Sequence, residues 1–259
     1  MLRFCVRAFL VLLTVFLPML TAVVADAARV PIRFTEGLTR GFLVLRALDR
    51  RILAHGDLIQ VVHGHRVESR MVFHFKDGSI FDERVVFSQN DVLTLLSYRL
   101  TQRGPSFPDT LDIVLDAQNG RYAVTSGTGT SAKVSKGQMT LPDDVYNGMA
   151  ITVLKNLPPG TSRTIHMVAF TPKPRLIELE IAPSGQQEVQ MAEASKSVAR
   201  YRLHPQLGSF LGFFASLLGR TPPDYECLIF NADVPAFVRC DGPLAVGGAT
   251  WRIELTNAR

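Results

Sequence analysis

The stretch that decides the fold is residues 67–87, VESRMVFHFKDGSIFDERVVF. Apolar and polar side chains alternate on both sides of Lys76-Asp77-Gly78, which is typical of two strands that each bury one face. A glycine suits the turn position that requires a positive φ. A three-residue loop sets Phe73 opposite Phe81 on the apolar face, whereas a two-residue loop would set it opposite Asp82. The sequence therefore predicts an antiparallel hairpin with the longer loop.

The same alternation extends outward from this hairpin along most of the chain. An Asn119-Gly120 turn predicts a second hairpin, and no strand–helix–strand rhythm or fixed repeat occurs. We predict a mainly β protein with one domain, residues 28–259. It is a single antiparallel, strongly curved sheet, or an open or half-closed β-barrel, with two helical insertions. The predicted strands are 57–63, 67–75, 79–87, 92–101, 110–115, 121–125, 133–140, 163–171, 175–182, 186–191, 196–203, 225–230, 236–240 and 250–255.

The first predicted helix runs from Asp143 to Leu157. Pro142 and Asp143 supply a start signal, and Pro158-Pro159-Gly160 supplies a stop. Between them apolar side chains recur at three- and four-residue spacing, so we expect one stripe of the helix to pack on the sheet. The stripe consists of Tyr146, Met149, Ala150, Val153, Leu154 and Leu157.

The second insertion, residues 206–218, contains no charged side chain. On a helical wheel large apolar residues fill one broad arc, and glycines and serines fill the other side. The segment is too short to span a bilayer. Two interpretations stay open: a core segment buried on both sides, or an apolar lid against a hydrophobic cavity or a lipid surface. As a lid, its ligand-contacting residues would be Leu207, Phe210, Leu211, Phe213, Phe214 and Leu217.

The N-terminus has the pattern of a secretory signal peptide. Arg3 and Arg7 precede an uncharged apolar run over residues 8–24, and Ala25-Asp26-Ala27 is a small-x-small cleavage pattern. We predict cleavage after Ala27 and a periplasmic or secreted protein. An uncleaved anchor is the alternative, because the run is about as long as a short spanning helix.

Cysteine usage agrees with export. Removing residues 1–27 takes Cys5 away and leaves Cys227 and Cys240, an even number in an oxidising compartment. They flank a turn sequence at residues 231–235, so a hairpin would place them opposite one another. We predict a disulfide, with two buried free thiols as the alternative.

Composition and motifs exclude several classes of function. A hydrophobic fraction of 47% with a net charge of +5 excludes a disordered chain, and no Lys/Arg cluster indicates nucleic-acid binding. No nucleophile elbow, zinc-protease motif or phosphate loop is present. His63 and His65 have metal-like spacing but lack an acidic or cysteine partner nearby. We therefore predict no catalytic residue, no metal and no cofactor.

Several stretches together resemble a family of uncharacterised exported bacterial proteins. They are LPDDV at 141–145, LPPG at 157–160, PAFVRCDGPL at 235–244 and GGATWRIEL at 247–255. The resemblance covers most of residues 29–259. It implies an open antiparallel barrel similar to that of the periplasmic lipoprotein carriers of the LolA/LolB type, in which a curved sheet wraps an apolar cavity capped by helices. Fold likeness alone does not transfer a carrier function.

Two functional hypotheses follow. The first is a non-catalytic envelope module that binds a lipid, an acyl chain or a lipoprotein segment in an apolar cavity, because apolar side chains with little buried polar chemistry suit such ligands. The second is an interaction or scaffold domain with a packed core and no ligand. The expected partners are thus a lipid or acyl chain or another envelope protein, with peripheral membrane contact allowed and no nucleic acid.

Overall fold

The computed structural model describes residues 29–170, 174–191, 194–206, 222–245 and 247–256. These residues form one antiparallel sheet of fourteen strands, which is not closed, and the mainly β prediction is confirmed. The predicted signal peptide, residues 1–27, lies outside the described residues. The strands are β1 (Thr39–Ala47), β2 (Ile52–His63), β3 (Arg66–Phe75), β4 (Ile80–Gln89), β5 (Leu93–Arg103), β6 (Leu111–Asp116), β7 (Arg121–Ser126), β8 (Lys133–Gln138), β9 (Arg163–Ala169), β10 (Arg175–Met191), β11 (Ala194–Gln206), β12 (Tyr225–Phe230), β13 (Ala236–Pro243) and β14 (Thr250–Thr256).

The strand order follows the chain in two runs. From one edge, β8 to β1 lie side by side, and β14 to β9 continue from β1 to the other edge. The first and last strands therefore pair at the centre of the sheet, with Leu43 opposite Leu255. The edge strands β8 and β9 are joined by residues 139–162, which we call the insertion and which carry the helix α1 (Ala150–Asn156).

The sheet is strongly curved. The path β4-β3-β2-β1-β14-β13-β12 contains six strand-to-strand steps, which would span about 29 Å in a flat sheet. Yet the carboxylate of Glu83 on β4 adds to the effect of burial in raising the pKa of Tyr225 on β12. Glycines assist the bending: the ring of Tyr225 covers Gly242 so closely that a Cβ there would overlap it.

Both predicted hairpins are confirmed, and the first also in the register predicted for it. In the first, Phe73 lies opposite Phe81, as the three-residue loop requires. The Phe75 N–H donates to the Ser79 carbonyl to close that loop, and Gly78 has φ +85°. In the second hairpin Asp116 pairs with residue 121 across the turn.

Two strands differ from the prediction. The sequence analysis missed β1, whose TRGFLVLRA run lacks strict alternation. Its partner β14 lies about two hundred residues away in sequence, so no local signal marks the pair. The predicted strands 175–182 and 186–191 are one long strand, β10. The pairing with β11 shifts in register between Pro183 and Gln186, but the strand continues. The sequence analysis interpreted these residues as a break between two strands.

The predicted helix over residues 143–157 is wrong in its first half. Only Ala150–Asn156 is helical, and Gly148 has φ +69°, which a right-handed helix does not allow. Residues before it run along the edge of β9 instead: Val145 forms a parallel bridge with His166, and the Asn147 side chain bonds both the N–H and the carbonyl of Val168. Among the described residues there is thus one α-helix, with a short 3-10 turn at Gly129–Ser131. The second predicted helical insertion, residues 206–218, lies outside the described residues except for Gln206.

The two faces of the sheet differ in chemistry. The concave face and the insertion share the hydrophobic core, in which Phe73, Tyr146 and Val153 have no exposed surface. The convex face carries ion pairs, such as the two-bond pair of Arg252 with Asp241. The convex face is therefore the more polar of the two, although Val44 and Val72 on it are also buried. Among the described residues, no helix is long and apolar enough to cross a membrane.

Candidate functional site

The disulfide predicted between Cys227 and Cys240 is confirmed. The two residues are direct cross-strand partners on β12 and β13, their sulfurs are bonded, and their Cα atoms lie 4.1 Å apart. Cys227 is completely buried, and Cys240 is partly buried within the same core. The bond joins two neighbouring strands on the core side of the sheet. A disulfide is typical of proteins exported to an oxidising compartment.

A row of side chains crosses the middle of the concave face. Leu58, Met71, Glu83 and Leu100 are successive cross-strand partners on β2, β3, β4 and β5. The first three remain partly accessible although they lie in the middle of their strands, whereas Leu100 is buried. Part of this row on the concave face is therefore not completely covered.

Glu83 is the one acidic residue in that row. Its neighbour Asp82 points to the convex face, since alternate residues of a strand face opposite sides. There Asp82 accepts two hydrogen bonds from Arg70, at 2.9 and 2.8 Å, and others from Arg84. Burial alone would raise the pKa of Asp82, but these hydrogen bonds outweigh it and lower that pKa to about 2.

The environment of Glu83 acts in the opposite direction. Burial raises the pKa of Glu83 to about 7, although the Tyr98 hydroxyl donates a hydrogen bond to Oε1 at 3.0 Å and opposes the shift. The side chain keeps some accessible surface, yet protein atoms surround it on most sides, and the loss of bulk water around the charged form dominates. Glu83 is therefore a carboxylic acid that changes charge near neutral pH.

Two tyrosines complete this group, which we call the Glu83 cluster: Glu83, Tyr98 and Tyr225. Burial, followed by the nearby Glu83 charge, raises the pKa of Tyr98 well above its usual value and that of Tyr225 to about 12. Both phenols are therefore neutral hydrogen-bond donors at physiological pH. Tyr98 is also held by Phe170, with parallel rings whose centroids lie 5.9 Å apart.

The insertion forms one wall of this site. A Cβ added to Gly148 would lie 2.5 Å from Val85 Cγ2 and 3.2 Å from both Glu83 Cδ and Tyr98 Cε2. Gly148 nevertheless has much exposed surface of its own. The backbone of the insertion thus rests directly on the Glu83 cluster on one side and borders open space on another.

The far end of the insertion is fixed by polar contacts. Lys155 donates to both carboxylate oxygens of the buried Glu36 at 2.7 Å. Asn156 Oδ1 accepts the backbone N–H groups of Arg33 and Phe34. These contacts tie α1 to the N-terminal residues and hold the wall in place.

The two histidines that the sequence analysis noted are both exposed. His63 ends β2, and His65 lies in the turn that follows. No group of three or more potential metal ligands occurs among the described residues. The predicted lid residues, Leu207, Phe210, Leu211, Phe213, Phe214 and Leu217, lie outside the described residues.

The described residues also line two surface depressions apart from the Glu83 cluster. One, of about 530 Å³, lies between residues 117–120 and 138–141. The other, of about 410 Å³, is lined by Arg46, Ala47, Arg50, Arg252 and Glu254. The first is bordered by polar turns. In the second, Arg46 and Arg252 already pair with Glu254 and Asp241, so their charges are compensated.

The sequence analysis missed the Glu83 cluster. It noted Asp82 and Glu83 as adjacent carboxylates without a role. The one available signal was that Glu83 falls in phase with Phe81 and Val85, on the apolar face of its strand. An acid in that phase faces the core, which is an uncommon and costly position.

Comparisons with known proteins give two solved structures of similar shape. One is a β-barrel-like protein of domain of unknown function DUF1849 from Brucella abortus, with 9% identity, a TM-score of 0.42, and 86% of this chain and 98% of that chain covered. The other is the hypothetical lipoprotein YmcC from Escherichia coli, with 8% identity, a TM-score of 0.38, and 86% of each chain covered. No family model matches the chain, and no curated protein matches it. Neither structure is described as a LolA/LolB-type carrier, so that resemblance stays a prediction.

Proposed function

We propose that this protein is an exported, non-catalytic binding module that holds a lipid, an acyl chain or a lipoprotein segment on the concave face of its sheet. The observation that carries the proposal is the accessible row at mid-strand. Leu58 and Met71 are apolar, inward-facing and incompletely covered. An apolar surface left open inside a curved sheet is the environment that an alkyl chain fills.

The disulfide and the predicted signal peptide support the export part of the proposal. The Cys227–Cys240 disulfide fits an oxidising compartment, and the sequence predicts a signal peptide cleaved after Ala27. N-terminal sequencing of protein recovered from the cell envelope should begin at Ala28. A mature protein that retains Met1 would contradict the export route.

The arrangement of the site favours binding over catalysis. Glu83 is flanked by two neutral phenols, and its hydrogen-bond partner among the described residues is Tyr98, not a serine, cysteine or histidine. Such a group offers hydrogen bonds but no activated nucleophile. The ligand is therefore expected to leave the site chemically unchanged.

A matched pair of variants tests the proposal. Leu58→Gln places an amide in the concave row, whereas Val61→Gln makes a similar change at an exposed residue of the same strand on the convex face. Titration with a fluorescent fatty acid should show weaker binding for Leu58→Gln only, by about fivefold if roughly 1 kcal/mol of apolar contact is lost. Equal affinities for the two variants would contradict binding on the concave face.

The alternative is a scaffold domain with a packed core and no ligand. Completely buried side chains of the insertion itself, such as Tyr146 and Val153, favour it, because they fill the interior on that side. Native mass spectrometry of protein purified from its own envelope separates the two functions. A copurified lipid supports the binding module, and a bare protein mass supports the scaffold.

A further inference from the structure

The Glu83 cluster has unused hydrogen-bonding capacity. Tyr98 donates to Glu83 Oε1, but no described residue bonds the second carboxyl oxygen. The Tyr225 hydroxyl likewise has no hydrogen-bond partner among the described residues, and its side chain is partly accessible. Neither oxygen is among the completely buried, unpaired side-chain atoms of the described residues, so both are accessible beside the apolar row and available to a bound partner.

The partner's chemistry follows from what the cluster offers. Tyr225 is a neutral phenol and therefore has a hydroxyl to donate. A carboxylic acid kept neutral by apolar surroundings is also a donor, provided that no cation ionises it. Burial and the Tyr98 hydroxyl, and no lysine or arginine of the described chain, set the protonation of Glu83. Two donors directed into an apolar space suit an uncharged acceptor.

We propose that protonated Glu83 and Tyr225 together bind the carbonyl oxygen of an ester or amide that links an apolar chain to the rest of the ligand. This inference rests on the proposed function and specifies its ligand class. The chain lies along Leu58 and Met71, and the carbonyl lies where β4 and β12 face each other across the curved sheet.

Such binding depends on pH. The titratable groups that face Glu83 are Tyr98 on β5 and Tyr225 on β12, while the insertion presents Gly148 and the neighbouring strands present Met71 and Leu100. Since neither tyrosine ionises near neutral pH, Glu83 alone determines the number of donors. Ionisation replaces one donor by a charge, and the carbonyl loses one of its two partners.

The experiment compares three probes on the mature protein by pyrene fluorescence. Pyrenedecanoic acid methyl ester carries a carbonyl and no charge, dodecylpyrene carries neither, and pyrenyl-decyl-trimethylammonium carries a cation. With a pKa of about 7, the protonated fraction falls roughly 30-fold between about pH 6 and pH 8.5, so ester affinity should fall by up to that factor. Dodecylpyrene should bind equally at both.

Three variants assign the effect to its residue. Glu83→Gln keeps a neutral donor at every pH and should abolish the pH dependence of ester binding. Tyr98→Phe removes a hydrogen bond that favours the ionised form, so the midpoint should move to higher pH. Asp82→Asn is the matched control, because it neutralises the adjacent carboxylate on the convex face and should leave the pH dependence unchanged.

The outcomes separate the inference from the function beneath it. Ester binding that does not change with pH, while dodecylpyrene still binds, overturns the carbonyl assignment alone. Tighter binding of the ammonium probe at high pH together with ester binding that does not change with pH overturns it in favour of an ion pair. Failure of all three probes to bind overturns the proposed function itself.

Discussion

Replacing Gly148 by alanine is expected to destabilise the protein by about 2–5 kcal/mol. Two effects contribute. At φ +69° a non-glycine residue costs roughly 1–2 kcal/mol of backbone strain. The new Cβ would also lie 2.5 Å from Val85 Cγ2, and such overpacking of a core costs about 1–3 kcal/mol.

Gly160→Ala is the matched control for backbone strain. Gly160 has a similar φ of +76°, but a Cβ there would have no neighbour within 4 Å. This variant should therefore lose only the strain contribution, about 1–2 kcal/mol. Urea unfolding of both variants at one pH, without reductant, gives the two free energies of unfolding.

The difference between the two variants measures the packing of the insertion on the concave face. We expect Gly148→Ala to lose about 1–3 kcal/mol more than Gly160→Ala. Equal losses would refute the reasoning, because they would mean that the turn at Gly148 does not rest on Val85 and Glu83.

Four further predictions concern the disulfide, the two adjacent carboxylates and the apolar segment. Cys227→Ala combined with Cys240→Ala opens a loop with a sequence separation of 13 and should lower the free energy of unfolding by about 3 kcal/mol; an unchanged urea midpoint would show that the bond adds no stability. Because folding raises the pKa of Glu83 from 4.5 to about 7, the stability that its protonation provides is full below pH 4.5 and is lost as pH rises through 7. Glu83→Gln should therefore remove up to about 3 kcal/mol of pH dependence, and parallel stability curves for wild type and variant would exclude this. Asp82 has a folded pKa of about 2 against an ordinary 3.8, so its ion pairs stabilise the fold above that range. Asp82→Asn should cost about 2 kcal/mol at neutral pH, and urea unfolding should show the gap closing as pH falls below about 4. Phe210→Ala with Phe214→Ala should weaken fatty-acid uptake more than stability if the segment is a lid, whereas a loss of about 3–5 kcal/mol per truncation without bound probe would assign it to the core.

Local patterns in the sequence were sufficient for most of the sheet. The cross-strand pairs of the hairpin around Gly78 could be predicted from sequence, because only a three-residue loop places Phe73 opposite Phe81 on the apolar face. The same holds for Cys227 and Cys240, which flank one short turn. Residues 143–149 could not be assigned in this way. Their apolar spacing suits a helix, but the positive φ of Gly148 and the contacts with β9 hold them in turns around a bridge at Val145.

The Glu83 cluster depends on long-range geometry. Tyr98 is fifteen residues from Glu83, and Tyr225 approaches from the opposite limb of the curved sheet. Period-two alternation separates Asp82 from Glu83, but the sequence alone does not say which face is concave. The sequence does not reveal that β1 pairs with β14, and this pairing joins the half of the sheet that contains β4 to the half that contains β12.

Photolabelling of the mature protein tests most directly whether the concave face holds an apolar chain. A fatty-acid methyl ester with a diazirine in its chain is bound and irradiated, and the labelled peptides are mapped by mass spectrometry. The proposed function predicts label on Leu58 or Met71 of the concave row and none on Val61 or Val134, which are exposed elsewhere on the sheet. Label confined to exposed residues, or no label at saturating probe, would contradict it.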